Sequence, residues 1–119
     1  MQHDDSVYLD HMLDASRKAV SRIAERTRAE YDADEDLRMV LAHLVQILGE
    51  AAGRVSQATR DANPAIPWRR IIGMRHRIVH DYMNIDADVL WEVVCRSLPE
   101  LITLLEPLRP GSPEEEPES

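Results

Sequence analysis

The residues able to do chemistry concentrate between Pro67 and Tyr82, where Arg69, Arg70, Arg75 and Arg77 stand with His76 and His80 against one carboxylate, Asp81. Guanidinium groups carry a fixed charge and form paired hydrogen bonds to phosphate or carboxylate oxygens. Imidazole gains or loses a proton near neutral pH. In a helix of 3.6 residues per turn, Arg75 and Tyr82 share a face and His76 and His80 share another, whereas Arg75 and His80 diverge by about 140°. The spacing alone does not make a catalytic pair of Arg75 and His80. The reach of Arg, a helix ending near His80, or a site shared across a dimer axis would each relax that requirement. His76 and His80 could instead hold a divalent metal from one helical face. A third ligand is not evident, since His43 and Glu50 contribute only if their face turns this way, and no metal site is expected.

Net charge first argues against a nucleic-acid partner. The chain has 119 residues with 22 Asp plus Glu against 14 Lys plus Arg, a formal charge of -8, while phosphate binding draws on Lys and Arg. Distribution reverses that reading. Half of the acidic excess comes from Glu114, Glu115, Glu116 and Glu118, in a Pro-rich terminus of the composition that stays disordered. A local basic patch survives on an acidic protein. Cys95 is the single cysteine, so neither an intrachain disulfide nor a Cys-based zinc site can form, and its apolar neighbours make it a small buried hydrophobe. No apolar run approaches a membrane span, and Gln2, His3, Asp4 and Asp5 do not open a signal peptide. Export and membrane insertion are not expected, and the chain reads as cytoplasmic.

The elements that must position the basic patch are helical. Leu9, Met12, Leu13, Ser16, Val20 and Ile23 recur at three- and four-residue steps, which predicts a helix over about Asp5 to Ala29. A second helix opens with Asp32 and Glu35 as a capping-box variant, or with Asp34 as the cap. Its seam of Leu37, Leu41, Leu44, Leu48, Ala51 and Val55 packs as an antiparallel hairpin with the first. After turn residues Asp61, Asn63 and Pro64, a third helix runs from about Pro67 to His80, with Pro67 at its first position and Ile71, Ile72, Met74, Ile78 and Val79 left for the core. Asn84 to Asp88 cap a fourth, whose broad apolar face runs from Val89 to Leu105 and which Pro99 should kink. No segment of useful length alternates as a strand would. The fold is expected to be all-α, a compact antiparallel bundle of four main helices over residues 1–109, followed by the acidic tail 110–119.

The stretch Ile66-Pro67-Trp68-Arg69-Arg70-Ile71-Ile72-Gly73-Met74-Arg75-His76-Arg77-Ile78-Val79-His80-Asp81-Tyr82, with Asp86, Val89, Trp91, a Leu98-Pro99 step and Leu48-Gly49-Glu50-Ala51-Ala52 upstream, closely resembles the HepT-like branch of the HEPN superfamily. The family signature is Arg, four residues, His, one residue, Tyr, with a polar residue commonly after the Arg. Arg75, His76, His80 and Tyr82 stand in that register, His76 replacing the common Asn. An Arg and a His five apart mean little alone. In this context they are specific.

The resemblance implies a metal-independent endoribonuclease toxin of a toxin and antitoxin pair, working as a homodimer with both motifs lining one cleft. His80 would move the proton of the attacking ribose 2'-hydroxyl, Arg75 would stabilise the anionic transition state, and His76 would orient the phosphate. Tyr82 matches the tyrosine to which a partner nucleotidyltransferase of the MntA type attaches AMP, the ATP and Mg2+ belonging to that partner and no cofactor to this chain. Its alternative is an anchor packing on Trp91. Arg69, Arg70 and Arg77 are expected to hold RNA phosphates, and Trp68 and Trp91 to be core or interface anchors. A second reading, a non-catalytic dimeric HEPN module that binds a nucleotidyltransferase or a nucleotide, stands beside the nuclease.

Overall fold

The computed structural model describes residues 4–81 and 84–108, with the side chains of His80 and Asp81 outside that description. Tyr82 and the acidic tail, both singled out by the sequence, lie outside the described residues. Helix α1 (Asp5–Ile23) is capped by Asp4, which accepts from the Ser6 amide. Its neighbour α3 (Glu35–Arg54) is capped by Asp34, whose carboxylate accepts the Leu37 amide at 2.9 Å and is held below the usual range chiefly by that bond. The two pack as the expected hairpin, with Met12, Leu13, Leu41, Val45 and Leu48 all but sealed from solvent. Ser16 shares this core, its hydroxyl without a hydrogen-bond partner among the described residues.

Three local features depart from the periodicity. The first helix stops at Ile23 rather than near Ala29, and Glu25 takes a positive φ of 66°. Thr27 then starts a separate short helix, α2 (Arg28–Ala33), through a reciprocal cap in which Thr27 accepts from the Glu30 amide and Glu30 from the Thr27 amide. That local N-terminus signal outweighs continuation of the stripe. A further short helix, α4 (Gln57–Ala62), follows α3, and Asp5 accepts from the Ser56 amide and hydroxyl at 2.9 and 2.6 Å to tie its cap to the start of α1.

Helix α5 (Trp68–Ile78) begins one residue later than expected and ends before His80. The chain leaves it into a two-stranded antiparallel ribbon, β1 (Val79–Asp81) with β2 (Asn84–Ile85), pairing Val79 with Ile85 and Asp81 with Asn84. Strands of three and two residues are too short to display an alternating pattern. They correct the expectation of helix through His80.

The fourth helical rod is continuous but changes pitch: α6 (Ala87–Glu92), a π-turn (Val93–Ser97), α7 (Leu98–Leu105) and a closing 3-10 turn (Glu106–Leu108). Pro99 offers no amide and its ring would strike the carbonyl four residues back. Widening the preceding turn, so that the Leu98 amide donates to Val93, relieves that clash. Cys95 in this turn is exposed, not buried, because Val93, Val94 and Leu98 fill the inward positions. Partial desolvation and the nearby Glu92 carboxylate raise its thiol pKa.

A polar and aromatic knot fixes α2 to α6. Tyr31 is sealed from solvent and its hydroxyl donates to the Ala87 carbonyl at 2.7 Å, while its ring lies 4.9 Å from that of Trp91. Arg28 stacks over both rings and pairs with Asp32 at 2.8 Å and with Asp88. Among the described residues, Trp91 has Tyr31 as its ring partner. Hydrogen bonds to Asp88 and Asp32 raise the pKa of Arg28, and burial pushes the Tyr31 phenol up to about 12.

Candidate functional site

Helix α5 lies against α3 at unusually close range. A Cβ on buried Gly49 would sit 3.2 Å from the Ile71 carbonyl oxygen and 3.6 Å from that of Ile72, so only glycine fits this crossing without movement. Trp68, Ile71, Met74 and Ile78 anchor the inner face, and the Trp68 indole donates to the Asn63 carbonyl at 3.1 Å. What remains outside is basic.

Arg69, Arg70, Arg75, His76 and Arg77 are all exposed, but they do not form one patch. At about 100° per residue, Arg75 stands about 160° from Arg77 and about 140° from Arg70. Arg75 occupies the edge that α5 shares with Trp68 and half-exposed Ile72. The outer face carries Arg69, Arg70, Gly73, His76 and Arg77, and a Cβ on Gly73 would meet nothing within 4 Å. His80 sits two residues beyond the helix, in β1. The backbone thus presents Arg75 and His76 in the last helical turn and His80 just past it, at a corner between helix and ribbon. No single helix face has to carry both Arg75 and His80.

On its other flank α5 borders a groove of about 360 Å³ formed by Arg70, Met74 and Arg77 against Asp88, Glu92, Val93 and Ser97. A smaller hollow of about 140 Å³ continues it beside Pro67, Glu100, Leu101 and Leu104. Arg70 and Arg77 therefore stand between open solvent and an acidic wall, a setting invisible in the sequence because the wall comes from α6. Asp88 on that wall is held by Arg28, and Glu92 lies 3.7 Å from Arg96.

His43 and Glu50 of α3 are exposed, and Glu50 accepts from Gln46 at 3.3 Å. Among the described residues, no three His, Cys, Asp or Glu side chains come together as a metal site, and no helix is long and apolar enough to cross a membrane. Gly49 is the position whose role residue types alone did not reveal. Gly49 had a signal, a glycine inside the apolar seam of a long helix.

The all-α bundle with this Arg and His arrangement at the end of its third main helix defines a HEPN-type protein. The profile of the family described as ribonuclease HepT-like matches residues 12–108, and the chain belongs to that family. It is similar to a protein of Caldanaerobacter subterraneus subsp. tengcongensis provisionally named an RNase, with 27% identity over 94 residues, 79% of this chain and 84% of the relative. It is also similar to a probable ribonuclease HepT of Thermococcus cleftensis, with 30% identity over 96 residues, 77% of this chain and 87% of the relative. No solved structure gives a significant match.

Proposed function

We propose that this chain is an endoribonuclease, acting as the toxin of a toxin and antitoxin pair. The observation that carries the reading is the corner after α5, where exposed Arg75 and His76 end the helix and His80 follows in β1. Membership in a family described as ribonuclease HepT-like supports it. In the reaction, the ribose 2'-oxygen bonds to the adjacent phosphorus as His80 takes its proton, and the bond from phosphorus to the 5'-oxygen breaks. The leaving oxygen regains a proton, and the products are a 2',3'-cyclic phosphate and a 5'-hydroxyl. Arg75 faces the phosphoryl oxygens, where negative charge peaks, and its guanidinium needs no proton exchange to act. His76 orients the phosphate. No step requires a metal held by this chain.

A homodimer places two such corners in one cleft, which removes the need for Arg75 and His80 of one copy to converge. Apolar side chains left exposed on the same helices, Met39 and Val40 on α3 and Ile72 on α5, suit contact with a second copy. Control falls to Tyr82, whose hydroxyl attacks the α-phosphate of ATP in a partner nucleotidyltransferase and releases pyrophosphate. The attached AMP then occupies the position that substrate phosphate needs.

Purified chain and its His80→Ala variant, incubated with total cellular RNA in the presence of a chelator, test the reading. Wild-type cleavage leaving cyclic phosphate ends, and loss of about 10²- to 10⁴-fold in the variant, is the expected result. Equal cleavage by both, or none by an AMP-free dimer, overturns it, the latter in favour of a binding module.

A further inference from the structure

Six of the twelve described arginines are engaged, among them five that hold the fold together. Arg17 pairs with Glu106 at 2.7 Å, Arg26 with Asp34 at 3.4 Å, and Arg28 with Asp32 and Asp88. Arg38 donates to the carbonyls of Tyr31 and Asp32 at 2.8 and 2.6 Å, and Arg60 to those of Val55 and Gly53 at 3.0 and 2.9 Å. The outer face of α5 is different. Among the described residues, neither Arg69, Arg70 nor Arg77 makes an ion pair or a side-chain hydrogen bond, although all three crowd one side of a short helix. Like charges at such spacing repel, so an anion lowers the energy of this face wherever it comes from.

The shape of the face says what kind of anion fits. Arg69 and Arg70 sit about two turns from Arg77, with His76 beside it and Gly73 between them. Space above Gly73 is open. A bare gap flanked by guanidiniums admits an extended chain with several charges lying along the helix, rather than one small ion in a pocket. The neighbouring groove, lined by Asp88 and Glu92 as well as by Arg70 and Arg77, is less favourable to such a chain than the outer face.

This chain contains a segment of that chemistry. Glu114, Glu115, Glu116 and Glu118 follow Pro110 and Pro113 in the sequence. Its point of departure lies one turn beyond a residue that borders the start of α5. Leu104 lines the same hollow as Pro67 and Arg70, and the Arg17 bridge to Glu106 pins the last turn before Leu108. From Leu108 to Glu114 an extended chain reaches about 20 Å, while Arg70 to Arg77 spans about 10 Å of helix. The carboxylates can cover the whole face.

We propose that the acidic segment Glu114–Glu118 docks on the outer face of α5 and competes there with RNA phosphates for Arg69, Arg70 and Arg77. The competition rests on the ribonuclease reading, whereas the docking stands on charge and reach alone. The tail then acts as an internal polyanion that sharpens discrimination: weakly held, short RNAs fail to displace it, and substrates contacting several phosphates succeed.

Two measurements on the full chain separate these parts. In the first, a nitroxide on exposed Cys95 reports on the tail through broadening of its amide NMR signals. Broadening of Glu114–Glu118 at low salt, relieved by the double substitution Arg70→Gln and Arg77→Gln, is expected; sharp tail signals at low salt overturn the docking. In the second, a fluorescent single-stranded RNA is titrated into wild type and a variant with all four tail glutamates changed to Gln. A gain of about three- to tenfold in affinity at low salt that closes at high salt is expected. Equal affinity at low salt removes the competition. If neither form binds RNA while the tail still broadens, the docking survives and the ribonuclease reading falls.

Discussion

Two arginine-bearing regions of this molecule behave in opposite ways. Around Arg28, every charge has a partner: two carboxylates and the rings of Tyr31 and Trp91 share one guanidinium, and the knot joins α2 to α6. On α5, Arg69, Arg70, Arg75 and Arg77 project from a helix whose inner face is fully packed, and their heads are open to solvent. Residue type is the same in both places. The difference is that the first region uses charge to hold the fold, so its removal must show in stability, and the second leaves charge available to a ligand, so its removal must show in binding or rate.

The strongest way to break that distinction is a matched pair of substitutions. Arg75→Ala is expected to slow RNA cleavage by about 10²- to 10³-fold with an unchanged melting curve, and Arg28→Ala to lower the melting temperature with cleavage nearly intact. A stability loss in the first, or a rate loss in the second at a temperature where it is folded, would erase the contrast. Next in size is Gly49→Ala, whose methyl group pushes against the Ile71 carbonyl. Calorimetry should show a loss of about 1–3 kcal/mol, accompanied by reduced cleavage because α5 carries the site with it.

A smaller effect sharpens the α5 side. Changing Arg70 and Arg77 together to Gln should flatten the slope of log affinity against log salt by about 1.4, if each contacts one phosphate of single-stranded RNA. The smallest concerns the knot. The Tyr31 phenol is raised to about 12 in the folded chain from an ordinary value near 10. Its contribution is therefore complete below about pH 10 and is lost as pH rises toward 12. Melting scans should show an extra alkaline destabilisation that Tyr31→Phe abolishes.

Sequence periodicity was a good guide wherever a helix buries one stripe. The seam Leu37, Leu41, Leu44, Leu48, Ala51 and Val55 is buried throughout, since a long helix has no other way to hide those residues. Legibility failed where a short local interaction competes with the stripe. Thr27 and Glu30 end the first helical run early, and β1 and β2 are too brief for alternation to register. At the site, the linear cluster of arginines was legible but its division was not. Arg75 and Arg77 are neighbours in sequence and nearly opposite on the helix, and the acidic wall facing Arg77 comes from α6, many residues later. Cys95 was misplaced for a related reason: a π-turn shifts the phase of a pattern read at constant pitch.

That turn also makes chain length a variable quantity at one position. A π-turn holds one residue more than the α-helical turn it replaces, so the rod from Ala87 to Leu105 contains a built-in insertion. Its upstream and downstream halves keep separate angular registers, one set by Leu90 against the core and the other by Leu98, Leu101 and Leu105. Relatives could gain or lose a residue here and still bury both halves, changing only which side chain, Ser97 or a neighbour, looks across at α5. The groove beside the arginines can thus be recut by an insertion or deletion as well as by substitution.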